Sequence, residues 1–399
     1  MDPAAFRSST AGQVLRVVGW GYWAYHPNPL PPTIVWTPSL VLALSEATAA
    51  LGELKGLGRT LANPHLLIAP FIRREAVLSS RIEGTQASLS DLYAYEAVQL
   101  QMFDVTTDAD SDVKEVHNYV RALEYGMERL KSLPLSLRLI REVHSHLMEG
   151  VRGEHQTPGE FRRSQNWIGA PGCLLADANF VPPPPDAMQQ ALRDLEMYLH
   201  APPALPALVR IGLIHYQFEA IHPFLDGNGR MGRLLNVLLL STWDLLPQPL
   251  LYLSAYFQRH RQSYYEHLMA VSQHGAWTNW LEFFLQGVLV QSQDAITRSS
   301  RLLDLREQYR QQLQNRRAAA RLLQVTDYLF LRPIFTINGL SAALEDLDYQ
   351  SAARYVKMLQ EEGILRETTG QARNRIYQAG EVLDTIVGPL SGEEAESVV

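Results

Sequence analysis

The chain has 399 residues, too many for one ordinary domain, and two or three are expected. Its 46% apolar and 19% charged content is that of a globular protein, and a net charge of -7 argues against a nucleic-acid coat. A single cysteine, Cys173, excludes a disulfide framework and a cysteine-rich zinc site and fits a reducing, cytoplasmic setting; no charged-then-apolar leader and no run of about 18 apolar residues predicts a membrane span.

The segment up to Trp36 is rich in Trp, Tyr and Pro and is expected to be an irregular extended arm, because proline fixes φ and removes donors. Helical periodicity starts at Ser39 with Leu40, Leu44, Ala47, Leu51 and Leu54, and Gly56 and Gly58 are expected to end it. Asn63-Pro64 opens a second long helix that runs towards Ile82, with Pro70 as a kink and Gly84 as its stop. Ser79 and Glu83, four apart, share its face. Further helices are expected at about 90–104, 112–132 and 135–150. Phe161, Trp167 and Ile168, followed by Ala170-Pro-Gly172, predict a short β-hairpin. Helices follow at 186–200 and 205–220, where His215 reads as a structural histidine, then at Tyr264–Tyr265 and across 277–313. From Arg316 the order becomes helix, strand, helix, helix and hairpin, the layout of a winged helix, with Gln350, Ser351, Arg354, Tyr355 and Lys357 on the helix that would read a partner. Residues 316–386 hold nine Lys and Arg against nine Asp and Glu. That neutrality favours protein–protein or dimer contact over DNA, despite a basic wing of Arg366, Arg373 and Arg375. The acidic tail at 387–399 is expected to be disordered. The boundaries that result are 1–110, 111–313, 316–386 and 387–399.

The most informative stretch is His222-Pro-Phe-Leu-Asp-Gly-Asn-Gly-Arg-Met-Gly-Arg233, which runs into the apolar helix of Leu234, Leu235, Val237, Leu238 and Leu239. Glycines let backbone N–H groups approach phosphate oxygens, and a helix N-terminus adds donors and a favourable dipole. Asp226 is a hard oxygen ligand suited to Mg²⁺, Arg230 and Arg233 can fork onto phosphate, and His222 has the chemistry of a general base. Cys173, by contrast, reads as an incidental small residue.

This stretch resembles the signature of the Fic family, whose members mostly transfer AMP from ATP to protein hydroxyls, and no specified position departs from that pattern. The resemblance implies a mostly α fold: a Fic-type helical bundle with a β-hairpin flap, joined here to the small C-terminal winged-helix domain. It implies that His222 deprotonates a Ser, Thr or Tyr hydroxyl and that Asp226 holds Mg²⁺ on the ATP phosphates. Gly227, Asn228, Gly229 and Arg230 would form the anion cradle, with Met231 and Gly232 on the same turn, Arg233 on the γ-phosphate and Tyr265 bordering adenine. Ser79 to Gly84 resembles the family's inhibitory motif, (Ser/Thr)-x-x-x-Glu-(Gly/Asn), whose glutamate would pair with Arg233. That reads as a buried ion pair competing with a ligand, and losing one member of such a pair costs about 3–5 kcal/mol. The flap near 160–180 would dock the target protein by strand addition, and a homodimer is suggested by resemblance alone. Transfer of UMP, phosphocholine or phosphate, removal of AMP, and DNA-binding regulation through the C-terminal module remain alternatives.

Overall fold

A computed structural model describes residues 1–7, 9–17, 21–60, 63–99, 111–151, 153, 156–170, 172–315, 319–371 and 374–388. The tail from 389, Arg373 of the expected wing and the end of the helix expected near 90–104 lie outside them. The described elements, in chain order, are β1 (Gly12–Arg16), β2 (Trp23–Pro27), α1 (Pro38–Thr60), α2 (His65–Ile82), α3 (Leu89–Gln99), α4 (Ser111–Arg129), α5 (Leu137–Leu147), α6 (Pro185–His200), α7 (Ala207–Ile221), α8 (Asn228–Thr242), α9 (Ser254–Arg259), α10 (Arg261–His274), α11 (Trp277–Leu313), α12 (Ala319–Leu331), β3 (Ile334–Thr336), α13 (Ile337–Ala343), α14 (Tyr349–Glu361), β4 (Arg366–Glu367), β5 (Ile376–Gln378) and α15 (Gly380–Val387). They form two compact units, residues 1–55 with 118–292, and residues 56–117 with 293–399.

The first unit is built around α7, nearly every residue of which is buried. A helix that is apolar all round must be covered on every side, and α6, α8 and β2 pack against this one. Gly212 lets Leu281 and Phe284 pack closely against the helix, and its carbonyl accepts the indole N–H of Trp280 at 2.9 Å. Ser136 caps α5 through its side chain, and Leu139, Ile140, Val143 and Leu147 turn inward, where α5 meets α8.

The opening segment is not the irregular arm its prolines suggested. β1 and β2 pair antiparallel from Gly12 with Pro27 to Arg16 with Trp23. Pro27 is the last paired residue of β2 and the prolines after it follow the pairing, so none interrupts the ladder. Tyr25 is fully buried and its N–H donates to the Val181 carbonyl, which fastens the hairpin to the 160–181 segment. Helix α1 likewise runs through Gly56 and Gly58 instead of stopping there. An interior glycine costs a helix about 1 kcal/mol, and burial of Leu40, Ala47, Leu51 and Leu54 outweighs it.

In the second unit α2 packs against α3, α12 and α15. Pro70 lies inside α2 without ending it, and Gly84, at φ 103°, turns the chain away beyond Glu83. The C-terminal elements occur in the order expected, with β5 central in an antiparallel sheet ordered β3-β5-β4. α15 was not expected. On α14, Gln350, Arg354 and Lys357 are exposed, but Tyr355 is buried with Ala352, Val356 and Leu359, so it belongs to the core and not to a reading surface. Ser351 is held by the capping residue Asp348.

Candidate active site

α7 ends at Ile221, and His222 follows in the left-handed region at φ 50°, ψ 61°. A non-glycine residue there is uncommon and strained, at a cost on the order of 1–3 kcal/mol. Its peptide N–H caps the helix by donating to Phe218 O, and its ring Nδ1 sits 3.2 Å from Glu219 O. A carbonyl oxygen only accepts, so in the neutral ring Nδ1 carries the proton and Nε2 the lone pair. The orientation of the His222 ring is thus written into the turn that ends α7.

The loop closes on itself through Asn228. Its side-chain oxygen accepts from Phe224 N–H and its amide donates to Phe224 O, both at 2.8 Å. Asn228 was expected in the anion cradle; its side chain also ties the loop, with one amide hydrogen given to Phe224 O. Phe224 is fully buried, stacked on His144 at 3.6 Å between ring centroids. Gly227 takes φ 75° and opens α8, and a Cβ there would lie 2.7 Å from the Met148 sulfur. Met231 N–H is already bonded to Gly227 O, so the donors left by helix geometry at this end are those of Asn228, Gly229 and Arg230. Gly232 packs against Glu219, whose carboxylate oxygen leaves no room for a Cβ.

Asp226 is half-exposed, with Oδ1 accepting from Gly227 N–H at 2.6 Å and lying 3.9 Å from the buried Arg230 guanidinium. Arg233 is also buried. Two buried guanidiniums and a helix N-terminus make this an anion-attracting end. Tyr265 lies exposed on α10 with the Arg261 guanidinium over its ring. Its buried neighbour Tyr264 reaches the loop instead, through His215, which bonds both the Tyr264 hydroxyl and Gly232 O. Burial and Arg233 bring the pKa of His215 down to about 3, as suits the structural histidine expected.

The segment expected to be a flap folds back through a single bridge, Ile168 with Phe180, and Trp167, Ile168 and Leu174 are exposed on it. On α2, Ser79 is fully buried but Glu83 is exposed. The carboxylate stands at the C-cap, where the chain leaves the helix.

Three contributors were missed in the sequence. His144 accepts Gly159 N–H at Nδ1 and bonds Asp226 O through Nε2, and burial holds its pKa near 4. Arg162 and Asn166 donate to the His222 carbonyl. His144 could have been suspected as a histidine on the buried face of α5; the other two come from an irregular segment with no period to betray them.

Residues 41–128 match the family described as Fic/DOC family N-terminal, and residues 134–240 match the Fic/DOC family. The chain carries a Fic/DOC N-terminal region and a Fic/DOC domain. Among curated relatives, Protein adenylyltransferase Fic of Aedes aegypti is 27% identical over 200 residues, covering 48% of this chain and 35% of that one. A probable protein adenylyltransferase of Aquifex aeolicus is 27% identical over 175 residues, covering 42% and 48%. The chain thus spans half or less of the length of these relatives. The fold resembles a Fic family protein from Desulfovibrio desulfuricans, with a TM-score of 0.57 at 21% identity over 88% of this chain and 98% of that one. It also resembles C. elegans Fic-1 residues 134–508, at 0.51 and 19% over 66% and 74%. The signature from His222 to Arg233 falls inside the Fic match, and Ser79 to Gly84 inside the N-terminal one. Among the described residues no helix of this Fic chain is long and apolar enough to cross a membrane.

Among the described residues no group of three or more His, Cys, Asp or Glu side chains could enclose a metal ion. Mg²⁺ does not require one: it keeps several waters and is commonly bound by one or two carboxylates plus substrate phosphates. A lone, half-exposed Asp226 beside an anion-attracting helix end fits that mode.

Proposed function

We propose that this chain transfers AMP from ATP to a Ser, Thr or Tyr hydroxyl of a target protein, and to itself, in a cytoplasmic setting. The observation that carries the reading is the turn at His222, which holds ring Nδ1 3.2 Å from Glu219 O, six residues before α8 begins at Asn228. The adenylyltransferase names of its relatives support the same reaction.

His222 Nε2 takes the proton of the target hydroxyl as its oxygen bonds to the α-phosphorus. The bond from that phosphorus to the oxygen bridging the β-phosphate breaks, and pyrophosphate leaves. The Asn228, Gly229 and Arg230 N–H groups and the Arg230 guanidinium stabilise the growing phosphate charge, the kind of preorganised term that is often the largest in such reactions. Asp226 would hold Mg²⁺, which when bound neutralises phosphate charge. Arg233 orients the γ-phosphate and Tyr265 borders the base. Exposed Trp167, Ile168 and Leu174 suit the 160–180 segment to receive the target. Glu83, paired with Arg233, competes with the γ-phosphate; with one partner exposed the restraint is on the order of 1–2 kcal/mol.

The test uses ATP labelled at the α- or the γ-phosphate with the parent chain, Glu83→Gly and His222→Ala. Transfer of α-label, strongest in Glu83→Gly and absent in His222→Ala, is expected. Transfer of γ-label alone would make the chain a kinase and sink the proposal, as would α-label transfer that survives His222→Ala.

A further inference from the structure

Arg162 is 1% exposed, and its peptide N–H donates to Pro223 O at 2.9 Å. Among the described residues no carboxylate pairs with it. Its guanidinium donates instead to four carbonyl oxygens: His222 at 2.9 Å from Nε, Ser164 at 3.2 Å from Nη1, and Pro183 at 2.5 Å and Ile221 at 3.4 Å from Nη2. Burying a cation without a counter-charge is costly, and here burial brings its pKa down to about 10. Packing alone would be served more cheaply by an apolar side chain.

Two of the four acceptors are the carbonyls of Ile221 and His222, the last helical residue of α7 and its C-cap. Helix geometry leaves such carbonyls without intrahelical donors and gathers the negative end of the dipole there. A guanidinium at this point satisfies both and opposes that charge. The peptide it grips belongs to a histidine in the left-handed region, a conformation that persists only when its surroundings over-determine it. Asn166 adds a donor to the same His222 carbonyl at 3.3 Å and another to Phe224 O at 2.8 Å.

We infer that Arg162, assisted by Asn166, is a positioning residue for His222: its fork onto the Ile221 and His222 carbonyls holds the left-handed turn that aims the imidazole. This rests on the reading of His222 as the base, but its central observable does not. Lys at 162 keeps the charge and loses the fork, since an ammonium is a single point donor on a flexible stem.

The experiment places Arg162→Lys, and separately Asn166→Ala, in the full Glu83→Gly chain. Three quantities are measured: the Kd of a non-hydrolysable ATP analogue, kcat and KM for α-label transfer, and the ¹⁵N–¹H correlation of selectively labelled His222, which reports its tautomer. A displaced base is expected to cost kcat about 100-fold in Arg162→Lys, with the nucleotide Kd little changed and the Nδ1–H tautomer depleted. Asn166→Ala is expected to move the same signals less. A folded Arg162→Lys that keeps both parental kcat and the parental tautomer overturns the inference. If Arg162→Lys does not fold, an unaltered His222 spectrum in Asn166→Ala overturns it. If the Glu83→Gly parent itself transfers no AMP, the functional reading fails, and the tautomer still decides the role of Arg162.

Discussion

Gly227 and His215 hold the signature loop from its two sides. At Gly227 two constraints coincide, a φ of 75° and a Met148 sulfur 2.7 Å from where a Cβ would stand. Gly227→Ala therefore strains the backbone and displaces Met148, against which the Arg230 guanidinium packs. A loss of about 1–3 kcal/mol is expected, with weaker nucleotide binding, read by thermal melting and by titration with an ATP analogue. His215 makes a different prediction, on pH. Its folded-state pKa of about 3 lies below the ~6.5 of an unfolded histidine. As pH falls the unfolded chain gains the proton first, so the stability held by the neutral ring is complete above about pH 6.5. It is lost between there and about pH 3, with a slope of up to ~1.4 kcal/mol per pH unit. His215→Phe should be less stable at pH 7.5, because Gly232 O and the Tyr264 hydroxyl lose a partner, yet its urea midpoint should fall less between pH 6.5 and 5. An equal fall in both proteins would mean that His215 is not the group responsible.

At the scale of elements, α2 ends at Ile82, and Glu83 occupies the C-cap at φ -85°, ψ 0°, a conformation glycine adopts without strain. Glu83→Gly should leave the melting temperature nearly unchanged while raising α-label transfer about tenfold, the kinetic equivalent of ~1.4 kcal/mol. Unchanged turnover that still depends on His222 would remove inhibition from the account and leave AMP transfer standing. Elements and chemistry differ in how far the sequence betrays them. The His222–Arg233 loop was legible because its turn glycines, charges and anchoring helix are contiguous. The length of α2 and its stop at Gly84 were legible from periodicity and one glycine. The hairpin of β1 and β2 was hidden because prolines just beyond it outweighed a short alternation. α1 outlasted Gly56 and Gly58 because tertiary burial overrides local propensity. His144, Arg162 and Asn166 act on backbone carbonyls distant in sequence, and a carbonyl has no identity that a sequence pattern could record.

At the scale of the molecule, two ways of satisfying an inward-facing cation occur among the described residues. In the first unit Arg162 and Arg210 spend donors on carbonyls, Arg210 on those of Tyr198 and Ala201. In the second unit arginines pair with carboxylates. Arg74 and Arg298 converge on Asp294, while Arg73, Arg332 and His117 converge on Glu96. Burial raises the pKa of Glu96, but His117, 3.7 Å away, and the charges of Arg73 and Arg332 outweigh it and hold it near 2. The Glu96 contacts join α2, α3, α4 and the residue that follows α12, so one carboxylate on α3 fastens the helix that carries Ser79 and is capped by Glu83 to the C-terminal elements. Glu96→Ala strands the buried Arg73 guanidinium, and about 3–5 kcal/mol should be lost. The loss should be local: amide exchange is expected to quicken in α2, α3 and α12 and to stay as in the parent in α7 and α8. The parental cluster should also weaken in acid, since a depressed carboxylate pKa confers stability that is whole above about pH 4.5 and fades as pH falls towards 2. Glu96→Ala should lack that component. If α2 holds Glu83 in its inhibitory pose only while so fastened, Glu96→Ala should also raise α-label transfer without any change at the signature. Faster exchange in α2 with no gain in transfer would show that the restraint, if Glu83→Gly reveals one, is set at the C-cap and not by the helix as a whole.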